Sequence, residues 1–189
     1  TTAGTIPLMP PPSIDRILVR FIYLYYILNL DIIILQFIII NLMKTLLNVG
    51  CGLSKISELK GFNNGNWKEI RFDIDKEVNP DILGTLTDMS LVETSSVDAI
   101  YSSYNLDHIY AHEVPIALKE FYRVLNQDGF VVARCPDIQT ICELIAQDKY
   151  LEVLYESPLG PIYPIDVLYG HRGQIEAGNE YMAKKVGFT

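Results

Sequence analysis

KTLLNVGCG, residues 44–52, runs from an apolar, strand-like stretch directly into Gly-x-Gly. EIRFDID, residues 69–75, is a second strand-like stretch that carries Asp73 near its tip, about twenty residues further on. Gly50 and Gly52 allow a tight turn and a close backbone approach to a ligand, and a carboxylate at the end of the next strand accepts hydrogen bonds from both hydroxyls of a ribose. A glycine pair alone is weak evidence. Here strand, Gly turn, short helical stretch and a second strand with a terminal Asp follow in the order and at the distance that a nucleoside-binding α/β unit requires.

The rest of the chain alternates in the same way. Residues 54–60 suit a short helix, and GFNNGNW, 61–67, is a Gly/Asn loop leading into the strand at 69–74. Residues 81–83 are a brief extended piece, followed by a loop with Asp88 and Met89. VDAIYSSYNL, 97–106, is apolar and β-branched at its start and turns polar where a parallel strand reaches its carboxyl end, the end that faces a ligand crevice. HEVPIALKEFYRVL, 112–125, places Val114, Ala117, Leu118, Phe121, Val124 and Leu125 at helical spacing, which makes one apolar face. Residues 126–129 break that helix, GFVVARC, 129–135, supplies another strand, and Pro136 and Asp137 open a second amphipathic helix to about residue 147. A last helix is expected over 174–185. Strands alternating with helices argue for a parallel α/β sheet with right-handed crossovers.

A chain of 189 residues, 49% of them hydrophobic, fits one domain with a real core. The net charge of −8 and the lack of any Lys/Arg run argue against nucleic acid as a partner. Cys51, Cys135 and Cys142 are odd in number and have no C-x-x-C spacing, so neither a disulfide framework nor a metal site is indicated, and a reducing, cytoplasmic setting is expected. Cys51 reads as a small side chain tolerated in the Gly turn rather than as a reactive thiol.

Composition changes near Met43, dividing an N-terminal extension, 1–43, from the domain, 44–189. Residues 1–13 are Thr/Pro-rich, with Pro10, Pro11 and Pro12 excluding helix. FIYLYYILNLDIIILQFIIINLM, 21–43, is long enough for a membrane span of roughly 20 residues. Against that, Asp31 near its centre costs about 2.5 to 3.5 kcal/mol, where each Ile, Leu or Phe contributes about −0.3 to −0.6. Arg16 and Arg20 favour a cytoplasmic N-terminus, which would set the domain on the far side. Three readings stay open: an extension the domain does not need, such as translated upstream sequence; a membrane-associating helix; or a helix packed on this domain or on a partner. No small-residue cleavage site follows, so the segment does not read as a secretory signal.

Residues 45–135 resemble the class I S-adenosylmethionine-dependent methyltransferases, in particular the small-molecule group called type 11. LLNVGCG matches the cofactor loop, RFDID the acidic strand end, SSVDAIYSSYNLDHI the fourth strand and its loop, and ALKEFYRVLNQDGFVVA the helix and fifth strand. The resemblance implies a Rossmann-like sheet with helices on both faces and S-adenosylmethionine as cofactor. It implies methyl transfer by in-line displacement to a small molecule or to a sugar or lipid precursor. It also implies Gly50 and Gly52 beside the methionyl part, Asp73 on the ribose, Asp88 and Met89 on the adenine, and Ser102 and Ser103 on the floor near the sulfonium. An ordinary turn or cap residue is the alternative for Asp88. The chain departs from the family pattern at Asn48, where Asp or Glu is usual, and at Ser54, where a third Gly or small equivalent is usual. Asn48 still hydrogen-bonds but brings no charge to meet the cofactor's ammonium. After GFVVARC the two further strands of the family are not found, and that strand is expected to form an exposed apolar edge.

His108, in NLDHI just after the fourth strand, is placed for a general base or an acceptor-orienting group, with an ordinary pKa of about 6.5 that suits the task. A structural histidine that bonds the loop or caps the following helix is the alternative, and Asp107 and Tyr104 are further candidates. SPLGPIYPIDVLYGHRG, 157–173, carries Tyr163, Tyr169, His171 and Arg172 where this class builds its acceptor pocket, so Tyr104, Tyr169, His171 and Arg172 are the acceptor-side candidates. Arg172 would pair with a carboxylate or phosphate of the acceptor; a solvated connector is the alternative. Two competing functions are a non-catalytic relative acting as an interaction module and a nicotinamide-dependent oxidoreductase. Ser54 in place of a third glycine disfavours the latter.

Overall fold

β1 (Lys44–Val49) is buried on both faces, with Leu46 and Leu47 wholly excluded from solvent, as the near-continuous apolar run of a central parallel strand requires. The computed structural model describes residues 34, 43–157 and 159–189. Apart from residues 34 and 43, the extension over 1–43 lies outside the described residues, and among those described no helix is long and apolar enough to cross a membrane. β2 (Trp67–Asp73), β3 (Ile82–Leu83), β4 (Val97–Ser103) and β5 (Leu125–Arg134) join β1 in one sheet of order β3-β2-β1-β4-β5. The β1–β4, β2–β3 and β4–β5 pairs are parallel, with Val49 opposite Ser102 and Ser102 opposite Ala133. The expected Rossmann-like α/β sheet is therefore present. Its strands end together at the edge that carries the Gly turn, Asp73 and the 102–108 segment.

α1 (Val114–Val124) lies on one face, burying Ala117, Phe121 and Val124 against Leu47, Val49, Phe72 and Ile100. Of the apolar positions read from the sequence, Ala117, Phe121 and Val124 form the packed face, whereas Leu118 is exposed at its margin. On the opposite face Leu59 and Phe62 cover Leu46 and Ala99, with Trp67, Tyr101 and Val132 around them. The helix expected over 54–60 is a single 3-10 turn, Ile56–Glu58. Its first free N–H groups are taken by carboxylates, Lys55 N by Glu58 and Ile56 N by Glu69, and so short a segment gains too little from helix propagation to extend further. The break expected at 126–129 appears as a ladder irregularity: Leu125 pairs with Val97 and Phe130 with Ala99, leaving four residues between. Asp98 closes this corner by accepting from Thr45 N and from Asn126 Nδ2.

Among the described residues β5 is one edge of the sheet, opposite β3, with Phe130 and Val131 exposed, as expected where the family's two further strands are not found. α2 (Ile138–Ala146) follows, capped by Asp137, which accepts from Gln139 N. β6 (Tyr155–Ser157) and β7 (Gly160–Ile162) form a separate antiparallel pair; α3 (Pro164–Tyr169) and α4 (Arg172–Glu176) come next. The helix expected over 174–185 stops at Glu176, because Gly178 takes a left-handed φ of 99°, and only a 3-10 turn, Glu180–Met182, follows. The chain then returns to the sheet's carboxyl edge: Gly170 bridges Ala183, Ile138 N donates to Phe188 O, and the Phe188 side chain packs on the α1 core.

Phe121 is buried between α1 and three strands, so Phe121→Ala removes an aromatic ring from a close-packed site. A loss of about 3 to 5 kcal/mol is expected, read in urea unfolding as a lower midpoint with an unchanged slope.

Candidate active site

Gly50 and Gly52 both adopt left-handed backbone, with φ of 59° and 52°. At Gly50 a Cβ would stand 2.5 Å from the Asn105 side-chain oxygen, so two constraints, conformation and space, demand glycine there. Asn105 is itself fixed by donating Nδ2 to the Val49 carbonyl. The turn is fastened to β2 by three side chains at alternate positions. Asp73 Oδ2 accepts from Gly52 N at 2.8 Å, Arg71 donates to the Gly52 carbonyl, and Glu69 accepts from Ile56 N at 3.0 Å. Cys51 N also donates to Phe72 O. Asn48 is buried and donates Nδ2 to Glu69 Oε1 at 2.7 Å, so a carboxylate stands against Asn48 although the residue itself has none. Burial, and next the Asp73 carboxylate, push the Cys51 thiol up to about 11, which keeps it protonated and unreactive.

The remaining cofactor-side candidates divide. Ser102 is buried and its hydroxyl has no partner among the described residues; Ser103, beside it, is half-buried. Asn105 Oδ1 is likewise buried without a partner. Asp88 is exposed in a turn, accepting from Ser90 N, and its hydrogen bonds to Ser90 hold its carboxyl below the ordinary range. Met89 is wholly buried in the α1 core, its N–H taken by Glu120 and its carbonyl by Arg123. Ile74 and Leu83, both exposed apolar side chains, line a hollow of about 400 Å³ at the tip of β2 together with Asn179 and Tyr181.

A second cleft, of about 410 Å³, brings the residue after the Gly turn, Leu53, together with Tyr104, His108, His171 and Lys184. His108 Nδ1 is 3.0 Å from the Ala183 carbonyl and Nε2 is 2.9 Å from Lys184 Nζ. A carbonyl only accepts and an ammonium only donates, which places the imidazole proton on Nδ1 and a lone pair on Nε2. Lys184 is also ion-paired with buried Asp107. Burial, and next the Lys184 charge, hold the His108 pKa below its ordinary value. His171 lines the same cleft but uses both ring nitrogens locally, accepting from Gln174 N and meeting the Leu159 carbonyl. Tyr104 takes a left-handed φ of 57° and lies under the Arg134 guanidinium. Arg172 is committed to Asp166 at 2.6 Å, and Tyr169 is exposed, its carbonyl accepting from Lys184 N. Neither lines the cleft.

Sequence reasoning missed Asn105, Glu69, Arg71 and Lys184. The alternation Glu69-x-Arg71-x-Asp73 held the signal for two of them, since a strand sends every second side chain to one face. Lys184 meets Asp107 and His108 across more than 70 residues of chain, with no motif to announce it.

Residues 47–133 match the sequence model of a family described as methyltransferase domain. No protein of curated function matches the chain. Similar solved structures include the PH0226 protein from Pyrococcus horikoshii OT3, at 19% identity and a TM-score of 0.47, the match covering 60% of this chain and 58% of that one. Another is an S-adenosylmethionine-dependent methyltransferase from Archaeoglobus fulgidus, at 15% identity and a TM-score of 0.45, covering 88% of this chain and 69% of that one.

The depressed pKa of His108 carries a pH dependence of stability. As pH falls below about 6.5 an unfolded histidine takes up a proton while folded His108 resists, so the unfolded state binds more protons and stability falls. His108→Gln still offers Lys184 an acceptor but does not titrate. The stability difference between wild type and variant, from urea unfolding at about pH 7.5 and about pH 5.5, should move in the variant's favour at the lower pH; an equal difference at both would show that His108 titrates alike in both states.

Proposed function

We propose, from the match of residues 47–133 to the methyltransferase-domain family, that the chain is an active S-adenosylmethionine-dependent enzyme that methylates a small molecule bound in the His108 cleft. The observation that carries the proposal is the braced Gly turn with unpartnered buried oxygens, Ser102 Oγ and Asn105 Oδ1, on the adjoining strand end and loop. Buried acceptors without donors are costly unless a ligand supplies the donor, and the cofactor's ammonium is such a donor. Asp73 spends one backbone hydrogen bond on each oxygen, from Gly52 N and Asp75 N. Each oxygen keeps a lone pair for a ribose hydroxyl. Ile74 and Leu83 offer an apolar face to the adenine, with Asp88 at the loop and Met89 bracing that loop from the core.

S-adenosylmethionine supplies an electrophilic methyl group on a sulfonium. The chain's own part is to hold the acceptor in line, exclude water and take a proton where the acceptor has one to lose. His108 lines the cleft with the tautomer that task needs, its Nε2 lone pair now meeting Lys184, and Tyr104 and His171 shape the acceptor side. Arg172, held by Asp166, acts on the cleft through the fold of 163–172 rather than as an anion anchor.

Calorimetry with S-adenosylmethionine and S-adenosylhomocysteine tests the reading. Asp73→Ala should weaken binding about a hundredfold or more, the worth of two hydrogen bonds to a charged group, and Gly50→Ala, which drives a methyl into Asn105, should abolish it. A folded wild-type chain that binds neither ligand overturns the proposal in favour of a non-catalytic interaction module.

A further inference from the structure

One wall of the cleft is a chain of three side chains, Asp107, Lys184 and His108, and much of the remaining wall is apolar, made by Leu53, Tyr104, Tyr155, Ile162, Val167 and Met182. Lys184 has two of its three N–H donors directed at Asp107 and at His108 Nε2, and its side chain is only 12% exposed. The other carboxylate and imidazole side chains that line the cleft each have a partner. Glu58 accepts from Lys55 N, Asp166 is paired with Arg172, and His171 is bonded to backbone on both sides.

We propose that the acceptor is a hydroxyl carried on an apolar, ring-sized body, a phenol or an enol, methylated on oxygen, with His108 receiving its proton and Lys184 stabilising the oxygen's negative charge. The inference rests on the methyltransferase reading and names its substrate class. An oxygen that enters at the Nε2 lone pair takes the place now filled by a Lys184 N–H, and so lies between a proton acceptor and an ammonium. That pairing lowers the pKa of a hydroxyl. It works against an amine, which becomes cationic on methylation and would then face the Lys184 charge, and it gives little to a thiol, whose sulfur accepts hydrogen bonds weakly. A volume of about 410 Å³ with mainly apolar walls is of the size that takes a small ligand. In the transfer the oxygen's electron pair forms the O–CH3 bond and the hydroxyl proton goes to His108 Nε2. The sulfonium's carbon–sulfur pair leaves with sulfur as a neutral thioether.

4-Nitrophenol, whose phenolate absorbs visible light, tests this without turnover. Bound to the full chain, its titration should shift down by at least about one pH unit, the effect of a nearby opposite charge, and 4-nitroaniline should bind at least about tenfold more weakly, or about 1.4 kcal/mol. Lys184→Gln should remove the shift; His108→Gln and Lys185→Gln, checked for folding by circular dichroism, should keep it. No dye binding, an unshifted or raised titration in wild type, or equal binding of the aniline overturns the inference whatever the variants do. Calorimetry with S-adenosylmethionine on the same samples separates the two levels: cofactor binding with a failed dye result removes only the acceptor class, and failure of cofactor binding removes the methyltransferase reading itself.

Discussion

The site depends on one constraint: a Gly turn in left-handed backbone must have its N–H and C=O groups satisfied without a helix to do it. β2 meets that need with a row of three side chains at period two. Asp73 takes the Gly52 N–H, Arg71 takes the Gly52 carbonyl, and Glu69 takes the Ile56 N–H while holding Asn48 beneath the turn. Buried backbone groups left unpaired would each cost as much as a lost hydrogen bond. In a chain where only a 3-10 turn follows the glycines, these side chains do what the first turn of a longer helix would otherwise do. The arrangement also accounts for Asn48. With Glu69 against it, a carboxylate at Asn48 itself would stand beside a second one, and like charges at that distance are destabilising.

The same economy of local structure explains which parts were legible in the sequence. Gly50, Gly52 and Asp73 could be read because the physics that selects them, positive φ and a strand-end carboxylate, is local. Phe121 and its helix face could be read because burial imposes a 3.6 period. The helix over 174–185 is present only to Glu176: Gly178 at a φ of 99° ends it, and the apolar residues beyond, Met182 and Phe188, serve a returning segment rather than a helix face. Met89 sat next to a plausible ligand residue but answered to the core, where its side chain is fully buried. Lys184 could not be read at all. Its role depends on where the last twenty residues cross the strand ends, and no local propensity encodes that crossing.

That crossing is secured by backbone hydrogen bonds and packing as well as by charge, Lys185 Nζ lying 4.8 Å over the Tyr110 ring. Lys184 N donates to Tyr169 O, Lys185 N to Asp107 O and Ile138 N to Phe188 O, and the Phe188 ring is packed on the α1 core. The Lys184–Asp107 pair is therefore poorly explained as a fastening. A buried ion pair recovers its desolvation cost only with good geometry and further hydrogen bonds, and an apolar pair of similar volume commonly serves stability as well or better. Asp107 Oδ1, moreover, is buried without a partner, so the pair is not fully satisfied. Its clear consequence lies one contact further on, at His108. An ammonium held in place by a buried carboxylate, together with burial, favours the neutral imidazole and sets the lone pair on Nε2, where Lys184 meets it. The energy put into burying that charge appears as the state of a single ring nitrogen at the wall of the cleft, the nitrogen to which the proposed function gives the acceptor's proton.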